Sequence, residues 1–465
     1  MKTTAFLSLA ASGLLLSSCA LGPVWNGAPE MPVPAEFRGA GISESNMSDL
    51  AWQDVLRDPA LQTLLTDVFE QNGSLEAMQH NVAQAHHYVT MAAAPIFPWF
   101  GYGANTTKGM NSASGAAVVH TTSTTTNPGS MALNASWELD IWGKTRKGVE
   151  SAVASADSAE AGYGAMRISM MRQVACGYLQ LIMLDEQLVI AKNAVESYRE
   201  SLELFRTQQD GGVGDGLQTA AAQAALSAAE AQVPNIESQI AALENTLSAL
   251  AGRHPGHIAR GSSLSDVAAA SKVAPGIPAQ VLGRRPDIRA KEYALRAANA
   301  DIGVAIASYF PSISLTGAAG YASADLRHAQ FGKHSGWGIG ANLTGPLFQA
   351  GMLTANKRMK KEAFLAAKAE YEQSVLDAMA EVSTTLIQRE KLREIMRKQE
   401  EAVASYQESV KLAKARYQEG IAGYYEVLDA QKGLFPAQTQ LAAYRYQYAA
   451  CIPTLYTQLG GGWQK

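Results

Sequence analysis

The feature that most constrains the fold is a long apolar seam between Val149 and Phe205. Apolar residues recur there at steps of three and four, which is the pattern of packed α-helices. A helix over these residues would be about 85 Å long at about 1.5 Å per residue, longer than a globular domain needs. The seam comprises Val149, Val153, Ala156, Tyr163, Met170, Val174, Leu181, Leu184, Leu188, Val195, Tyr198, Leu202 and Phe205.

Two further stretches, Leu217–Leu250 and Met352–Tyr417, carry the same helical pattern. Alanine occupies many of their seam positions, and small side chains let helices approach each other closely. Pro234 lies inside the first of the two and is predicted to kink or break that helix, because proline lacks a backbone donor. The chain is therefore predicted to be mainly α-helical, with a coiled-coil-like packing of long helices.

Four short segments alternate with a period of two instead. Apolar residues share one face of Met131–Ile141, Pro311–Tyr321, Trp337–Thr344 and, more weakly, Phe97–Asn105. Segments of about ten residues with one apolar face are typical of transmembrane barrel strands, although a half-buried soluble sheet gives the same alternation. Four strands cannot close a barrel, and a sheet in lipid has no free edge. Several copies of the chain are therefore expected to share one barrel.

The composition excludes several other classes of protein. Of the 465 residues 17% are charged, the net charge is −4, and no basic block is present, which argues against a nucleic-acid partner. Three cysteines are too few for a disulfide framework. Past the first few residues there is no run of 18 apolar residues, so a membrane-spanning helix is not expected.

The N-terminus has the pattern of an export signal. Lys2 precedes an apolar stretch, Ala5–Leu16, that is too short to span a bilayer. The following Leu16-Ser17-Ser18-Cys19-Ala20 resembles the bacterial lipobox, which implies a lipoprotein signal peptide over residues 1–18 and a lipid on Cys19. Because Ala20 stands where an aspartate would resemble an inner-membrane retention signal, the resemblance implies the outer membrane. The alternative is an ordinary signal peptide with a chance cysteine.

The chain is predicted to be an internal duplication. Pro98 and Pro311, Gly143 and Gly351, and Arg206 and Arg416 are each separated by about 210 residues and occupy matching places in the pattern. Each half is predicted to run helix, strand, strand, long helix, turn, helix. The first repeat is placed at residues 19–260 and the second at residues 261–465, with polar hairpin loops at Thr121–Asn127 and Ala322–Lys333.

No enzyme motif is complete. Gly143-Lys144-Thr145 mimics the end of a phosphate-binding loop, but Glu138 stands where that motif needs glycine. The Gly-rich segment Gly211–Gly216 follows no strand, so it is predicted to be a turn between helices rather than a dinucleotide loop. The eight histidines are scattered, and no metal site is expected. In Arg284-Arg285-Pro286-Asp287, the last two residues are predicted to begin a helix.

Six ordered strings identify a family. Trp137–Lys144 (WELDIWGK) and the segment Ile277–Ser314 (with IPAQVLGRRPDI and YFPSIS) are the most specific of them. The chain resembles the TolC/OprM outer-membrane efflux duct family, most closely its lipidated branch. The other strings are Trp52–Asn72, Leu343–Gly351, Arg416–Gln431 and Leu455–Trp463.

The resemblance implies a homotrimer with a shared twelve-stranded β-barrel that continues into a long α-helical periplasmic tunnel. It implies the exit duct of a tripartite pump, with a periplasmic adaptor and an inner-membrane transporter as partners. It implies no cofactor apart from the covalent lipid on Cys19, and no catalysis.

The resemblance also implies a gate near the start of the last helix. Tyr425 matches a constricting residue, Glu426 and Asp429 match acidic rings, and Lys432 matches a basic partner. The steps of three put Glu426, Asp429 and Lys432 on one helical face, as a merely solvated face also would.

Two turns between long helices, Asp210–Gly216 and Tyr417–Gly423, are predicted to form the periplasmic tips, which in the family meet the adaptor. The first tip departs from the family, because Asp215 and Gln218 stand where a serine and an aspartate are usual. The residues predicted to contact the adaptor are Gly212, Val213, Gly214, Gly420, Ile421 and Gly423.

Two alternative functions stay open at the level of sequence. A lipid-anchored periplasmic coiled-coil scaffold would share the helices but would not need the four alternating strands. A duct for polypeptide secretion would share the whole pattern, but the lipobox and the strings of the lipidated branch favour efflux of small molecules.

Overall fold

The computed structural model describes residues 21–38, 47–106, 108–111, 124–126, 129–212, 214–264, 266, 278, 283–323 and 335–463. Within these residues the chain is mainly helical, with one small sheet, as the sequence predicts. The helices are α1 (Trp52–Val55), α2 (Pro59–Gln71), α3 (Gly73–Ala93), α4 (Lys144–Asp210), α5 (Gly216–Leu250), α6 (Pro286–Ala307), α7 (Met352–Gln418) and α8 (Tyr425–Gln458). The strands are β1 (Trp99–Thr106), β2 (Gly109–Asn111), β3 (Thr124–Thr126), β4 (Gly129–Leu139), β5 (Ser312–Ser323) and β6 (Ser335–Thr344).

All four predicted strands form, and they make one antiparallel sheet in the order β1-β4-β5-β6. The register pairs Phe100 with Ala135, Ala135 with Gly317, and Gly317 with Ile339. One face of β4 to β6 therefore collects the alternating apolar residues, and the other face collects Ser, Thr, Asn and Gly. The apolar face is exposed in a single chain: Leu133, Trp337 and Ile339 are 65%, 79% and 83% exposed.

Strand β4 ends two residues earlier than the pattern predicts, at Leu139. The cause is Asp140, whose carboxylate accepts hydrogen bonds from the amides of Thr145 (2.9 Å) and Arg146 (2.9 Å). These amides belong to the first turn of α4, where backbone amides have no hydrogen-bond acceptor within the helix. Asp140 therefore caps the N-terminus of α4 and does not continue strand β4.

The predicted hairpin loop Thr121–Asn127 is wrong in part. Thr124–Thr126 forms strand β3, which pairs antiparallel with β2 as a separate two-stranded ladder. Threonine is a good strand former, so a Thr-rich segment is compatible with pairing as well as with a loop. The other residues of this loop and residues 324–333 of the second loop lie outside the described residues.

The long helices form as predicted. Helices α4 and α7 each contain 67 residues, which corresponds to about 100 Å at 1.5 Å per residue. No seam residue of α4 is exposed; Val174 and Leu181 are fully buried, and Phe205 is 1% exposed. The heptad-like seam is therefore the packed face of this helix.

Pro234 does not break its helix. Helix α5 runs continuously from Gly216 to Leu250 with Pro234 inside it. Proline removes one helical hydrogen bond and leaves the carbonyl of Glu230, four residues earlier, without its donor. Both Pro234 and Glu230 are exposed, so water can satisfy that carbonyl.

Structural features recur at a spacing of 208 residues. The starts and ends of α4 and α7 differ by that number, as do the ends of α5 and α8. Three pairs of glycines with positive φ have the same spacing, namely Gly143 and Gly351, Gly212 and Gly420, and Gly252 and Gly460.

The chain divides into two compact units. The first contains the sheet and comprises residues 1–29, 81–159 and 290–371; the second comprises residues 30–80, 160–289 and 372–465. The second unit has a large apolar core in which Leu61, Val174, Tyr178 and Leu455 are fully buried. Helix α4 includes an 18-residue stretch of mean hydropathy 1.4 that has the length and composition of a membrane span. Within the described residues, 33% of that stretch is buried.

A buried carboxylate links three segments of the second unit. Asp58 is 2% exposed and caps α2 by accepting from the amides of Ala60 (2.8 Å) and Leu61 (3.1 Å). It also accepts from the hydroxyl of Tyr178 in α4 (3.0 Å) and from the amide of Ser262 (2.7 Å). Burial raises the pKa of Tyr178, which therefore stays a donor.

We expect Asp58→Ala to destabilise the protein by roughly 3 kcal/mol, because four donors lose a charged acceptor in a buried place. Thermal unfolding of the detergent-solubilised protein measures this. Thr63→Ala, which removes only an exposed hydroxyl bonded to the carbonyl of Pro59, is the control. Equal unfolding temperatures for the two variants would contradict this role of Asp58.

Candidate gate and helix tips

The start of α8 has one buried side and one exposed side. Val427 and Leu428 are fully buried, and Gln431 is 1% exposed. The four predicted gate residues lie on the exposed side, where Tyr425 is 51% exposed. These four are Tyr425, Glu426, Asp429 and Lys432. The structure thus brings the predicted gate residues together on one accessible face.

An aromatic cluster fixes this helix end. Tyr424, the residue before α8, is 8% exposed and makes edge contacts with Phe205 (ring centroids 5.3 Å apart) and Tyr417 (4.8 Å). Its hydroxyl is 3.1 Å from the Ser201 hydroxyl. Burial raises the pKa of Tyr424, so the side chain is neutral at physiological pH. The exposed Tyr425 is therefore adjacent to a firmly held neighbour.

A buried polar chain continues from this cluster along α8. The Gln431 amide donates to the hydroxyl of Ser197 at 2.7 Å, and the hydroxyl of Ser201 donates to the Gln431 carbonyl oxygen at 3.3 Å. The sequence did not predict that these residues hold the start of α8. Tyr424 and Gln431 are seven residues apart, so they share the helix face opposite the predicted gate residues. This spacing is the sequence feature that indicates a role for them.

The charges of the gate face are only partly compensated. Glu426 lies 3.6 Å from the guanidinium of Arg416, and both side chains are about half exposed. Asp429 and Lys432 form no ion pair with any residue that the structure describes. Lys432 instead borders an apolar groove beside Tyr198 and Phe435. Within one chain, Arg416 rather than Lys432 is the basic partner of Glu426.

Both predicted tips are tight turns after long helices. Gly212 and Gly420 have φ of 73° and 71°, a conformation that glycine adopts without strain. After α7 the amide of Gly420 bonds to the carbonyl of Tyr417 (3.0 Å), and that of Ile421 bonds to the carbonyl of Arg416 (2.9 Å). This pair of bonds satisfies helix-terminal carbonyls.

The tips expose small and apolar residues. Ile421 is 64% exposed, and Gly420 and Gly423 are exposed beside it. Gly214 lies against the backbone of Gln209, where a Cβ atom would approach to 2.5 Å. The side chain of Gln208 donates to the hydroxyl of Tyr417 at 2.6 Å, which joins the two tips. Val213 lies outside the described residues.

The predicted start of α6 is confirmed, and it includes ion pairs between a buried arginine and two half-exposed carboxylates. Pro286 is the first residue of the helix, and Asp287 lies in its first turn. Arg285 is 8% exposed and bonds to Asp287 (2.6 Å) and Glu381 (2.9 Å). Burial works against both charges, but the mutual hydrogen bond and charge outweigh it: the pKa of Asp287 is lowered and that of Arg285 is raised.

Two further expectations concern the lipid anchor on Cys19 and the absence of a metal site. Cys19 lies outside the described residues, which begin at Leu21. Among the residues described, no group of three or more His, Cys, Asp or Glu side chains is placed to hold a metal ion.

Comparison with known proteins identifies the class. The antibiotic efflux pump outer membrane protein ArpC of Pseudomonas putida is 31% identical over 99% of this chain and 96% of its own length. The cation efflux system protein CusC of Escherichia coli O6:H1 is 30% identical over 97% of both chains. The solved structure of the outer-membrane channel OprN has a TM-score of 0.86 at 28% identity, covering 96% of this chain and all of that chain.

The open-state MtrE outer membrane channel of Neisseria gonorrhoeae has a TM-score of 0.84 at 27% identity, covering 96% of this chain and 99% of that one. Long helices joined to a four-stranded sheet thus define an outer-membrane efflux channel, a passive duct and not an enzyme. The profile of the outer membrane efflux protein family matches residues 64–253 and again residues 277–461. The chain belongs to that family, and it is located in the outer membrane. Membership confirms the predicted duct and decides against the periplasmic scaffold.

We expect Gly420→Ala to weaken the second tip by about 1–2 kcal/mol, the cost of a left-handed conformation for a residue with a Cβ. The amide of Ile421 should then lose roughly tenfold of its hydrogen-exchange protection. Gly423→Ala is the control, because Gly423 lacks a positive φ and a Cβ there meets nothing within 4 Å. Unchanged protection in Gly420→Ala would show that the turn is not set by glycine.

Proposed function

We propose that the chain is one third of a homotrimeric exit duct that conducts small molecules, such as drugs and toxic compounds, from the periplasm to the exterior. The observation that carries this proposal is the sheet. Among the described strands, β1 and β6 have one neighbour each, and the apolar face of the sheet is exposed. Both features suit a lipid-facing sheet that continues into the sheets of other copies.

Three copies would give a closed barrel of twelve strands. Pairing β6 of one copy with β1 of the next keeps the antiparallel order throughout, because β1 and β6 run in opposite directions in the four-stranded sheet. An even number of antiparallel strands closes without a parallel pair, as in other outer-membrane barrels. The helices would form the periplasmic tunnel below this barrel.

The proposed duct works with a periplasmic adaptor and an inner-membrane transporter. The exposed tips around Gly212, Gly214, Ile421 and Gly423 are the proposed contact with the adaptor, together with Val213. Names of relatives refer to efflux of antibiotics, toluene and cations. These names favour small cargo over polypeptides, and no cofactor beyond the lipid on Cys19 is proposed.

The duplication is proposed as the origin of this architecture, with repeats at residues 19–260 and 261–465. The recurrence of helix ends and positive-φ glycines at 208 residues supports it. The two separate matches of the family profile support it as well.

The proposed gate is formed by three copies of Tyr425, Glu426, Asp429 and Lys432 around the trimer axis. Threefold symmetry brings like carboxylates toward one another, and Asp429 has no basic partner among the described residues of its own chain. Repulsion between these charges makes the closed state only modestly stable, so an adaptor can open it. An acidic ring also favours cations in the pore.

We expect Asp429→Ala to reduce cation selectivity and cation block of the channel in planar bilayers, because the ring loses three charges. Tyr425→Ala should make cells more permeable to large antibiotics. Glu408→Ala, which removes an exposed carboxylate paired with Lys411 on α7, is the control. If both gate variants conduct and exclude drugs like the parent, the gate is elsewhere; if the parent forms no channels, the duct itself is refuted.

We expect Cys19→Ser to abolish incorporation of radiolabelled fatty acid and signal cleavage before residue 19. Lipid labelling that persists in this variant would exclude Cys19 as the acylated residue. Insertion of the sheet can survive the substitution, because the barrel holds the membrane independently of the anchor.

A further inference from the structure

The apolar face of the sheet contains a furrow. Bulky side chains stand on both sides of it, with Phe100 and Leu133 on one side and Trp337 and Ile339 on the other. Between them the same face carries only small residues. The floor consists of Ala135 on β4 and of Gly317 and Ala319 on β5, and the space measures about 500 Å³.

The backbone geometry does not require a glycine at position 317 in the floor of the furrow. A Cβ atom built on Gly317 meets only the Cβ atom of Ala135, at 3.8 Å, which is an ordinary contact. The glycine has no positive φ that would exclude other residues. The floor therefore leaves room for an apolar occupant on a surface that the proposed function places in lipid.

The N-terminal segment is held at the foot of the same two strands. The amide of Leu21 donates to the carbonyl of Trp142 at 3.1 Å, and the indole of Trp142 donates to the carbonyl of Pro311 at 2.7 Å. Trp142 also stacks on Phe310, with ring centroids 4.8 Å apart. Because Trp142 follows β4 and Pro311 precedes β5, Leu21 lies where β4 ends and β5 begins.

The next residues fix this segment further. Gly22 contacts Gly303 so closely that a Cβ on Gly22 would lie 2.5 Å from the Cα of Gly303. The carbonyl of Pro23 accepts from the ammonium group of Lys147 at 3.2 Å, and Lys147 is 7% exposed. The chain is thus anchored two residues after Cys19, beneath the furrow.

The distances suit an acyl chain. From Leu139, at the foot of β4, to Ala135 in the floor is four residues, or about 13 Å along a strand. One leaflet occupies half of a hydrocarbon core of about 30 Å, so its acyl chains reach about 15 Å. We propose that the furrow binds an acyl chain carried by Cys19, which rests on the lipidation of Cys19 in the proposed function. The bound chain would fix the anchor against its own sheet.

Photo-crosslinking tests this with the full-length trimer. Cells are fed a fatty acid that carries a diazirine, the purified protein is irradiated and digested, and linked peptides are identified by mass. The expected product joins the N-terminal lipopeptide to the peptide that contains Gly317 and Ala319. If that strand peptide carries only phospholipid-derived acyl groups while the lipopeptide is linked elsewhere, the proposal is overturned.

Filling the furrow sharpens the test. Gly317→Leu should lower the yield of the linked product by about tenfold, the effect of losing roughly two buried CH₂ groups. Ala319→Leu fills the same space independently, in case the first variant does not assemble. Ala341→Leu is the matched control, since Ala341 lies on the apolar face of β6 outside the furrow. An unchanged yield in both filling variants would refute the site. An N-terminal peptide without an acyl mass would instead refute the lipidation.

Discussion

The architecture depends on one constraint, which is that backbone amides in lipid need partners. Strands β1 and β6 each have one neighbour among the described strands, so each leaves one row of donors and acceptors without a strand partner among the residues that the structure describes. An unsatisfied group in hydrocarbon costs several kcal/mol, and an edge strand of eight residues (β1) or ten residues (β6) has several of them. Assembly with other copies is therefore a condition of the fold in the proposed duct rather than an addition to it.

The sheet and the start of α8 differ in how their apolar side chains are covered. Trp337 and Ile339 on the apolar face of the sheet are largely exposed within one chain, and the proposed duct places that face in lipid. The start of α8 is held within the chain by Tyr424, Phe205 and Gln431, all nearly fully buried. The buried side of this helix end is thus packed within the chain, while Tyr425, Glu426, Asp429 and Lys432 are exposed on its other side. In the proposed trimer, that exposed side would be free to contact the neighbouring copies.

The periodic elements are well predicted from the sequence, because burial of one face imposes a period of about 3.6 residues on a helix and of 2 residues on a strand. The seam of α4 follows from packing against other helices, and the alternating faces of the strands follow from the lipid contact of the proposed barrel. Prediction fails where a local sequence is compatible with two different structures. Pro234 stays in its helix at a place where Pro234 and Glu230 are both exposed, and Asp140 lies outside β4 because its carboxylate caps α4. The Gln431–Ser197 bond is also unpredictable, since it joins residues 234 positions apart.

The spacing of 208 residues explains why glycine persists at particular places. Gly212 and Gly420 end the two longest helices, and both need a left-handed turn to satisfy the last carbonyls. Gly252 and Gly460 end the last helix of each half in the same way. The sequences around these turns differ: at this spacing Asp215 matches Gly423, and Val213 matches Ile421. In the proposed duplication, the geometry of helix termination is therefore retained, whereas the side chains exposed on each tip are free to diverge toward separate contacts with the adaptor.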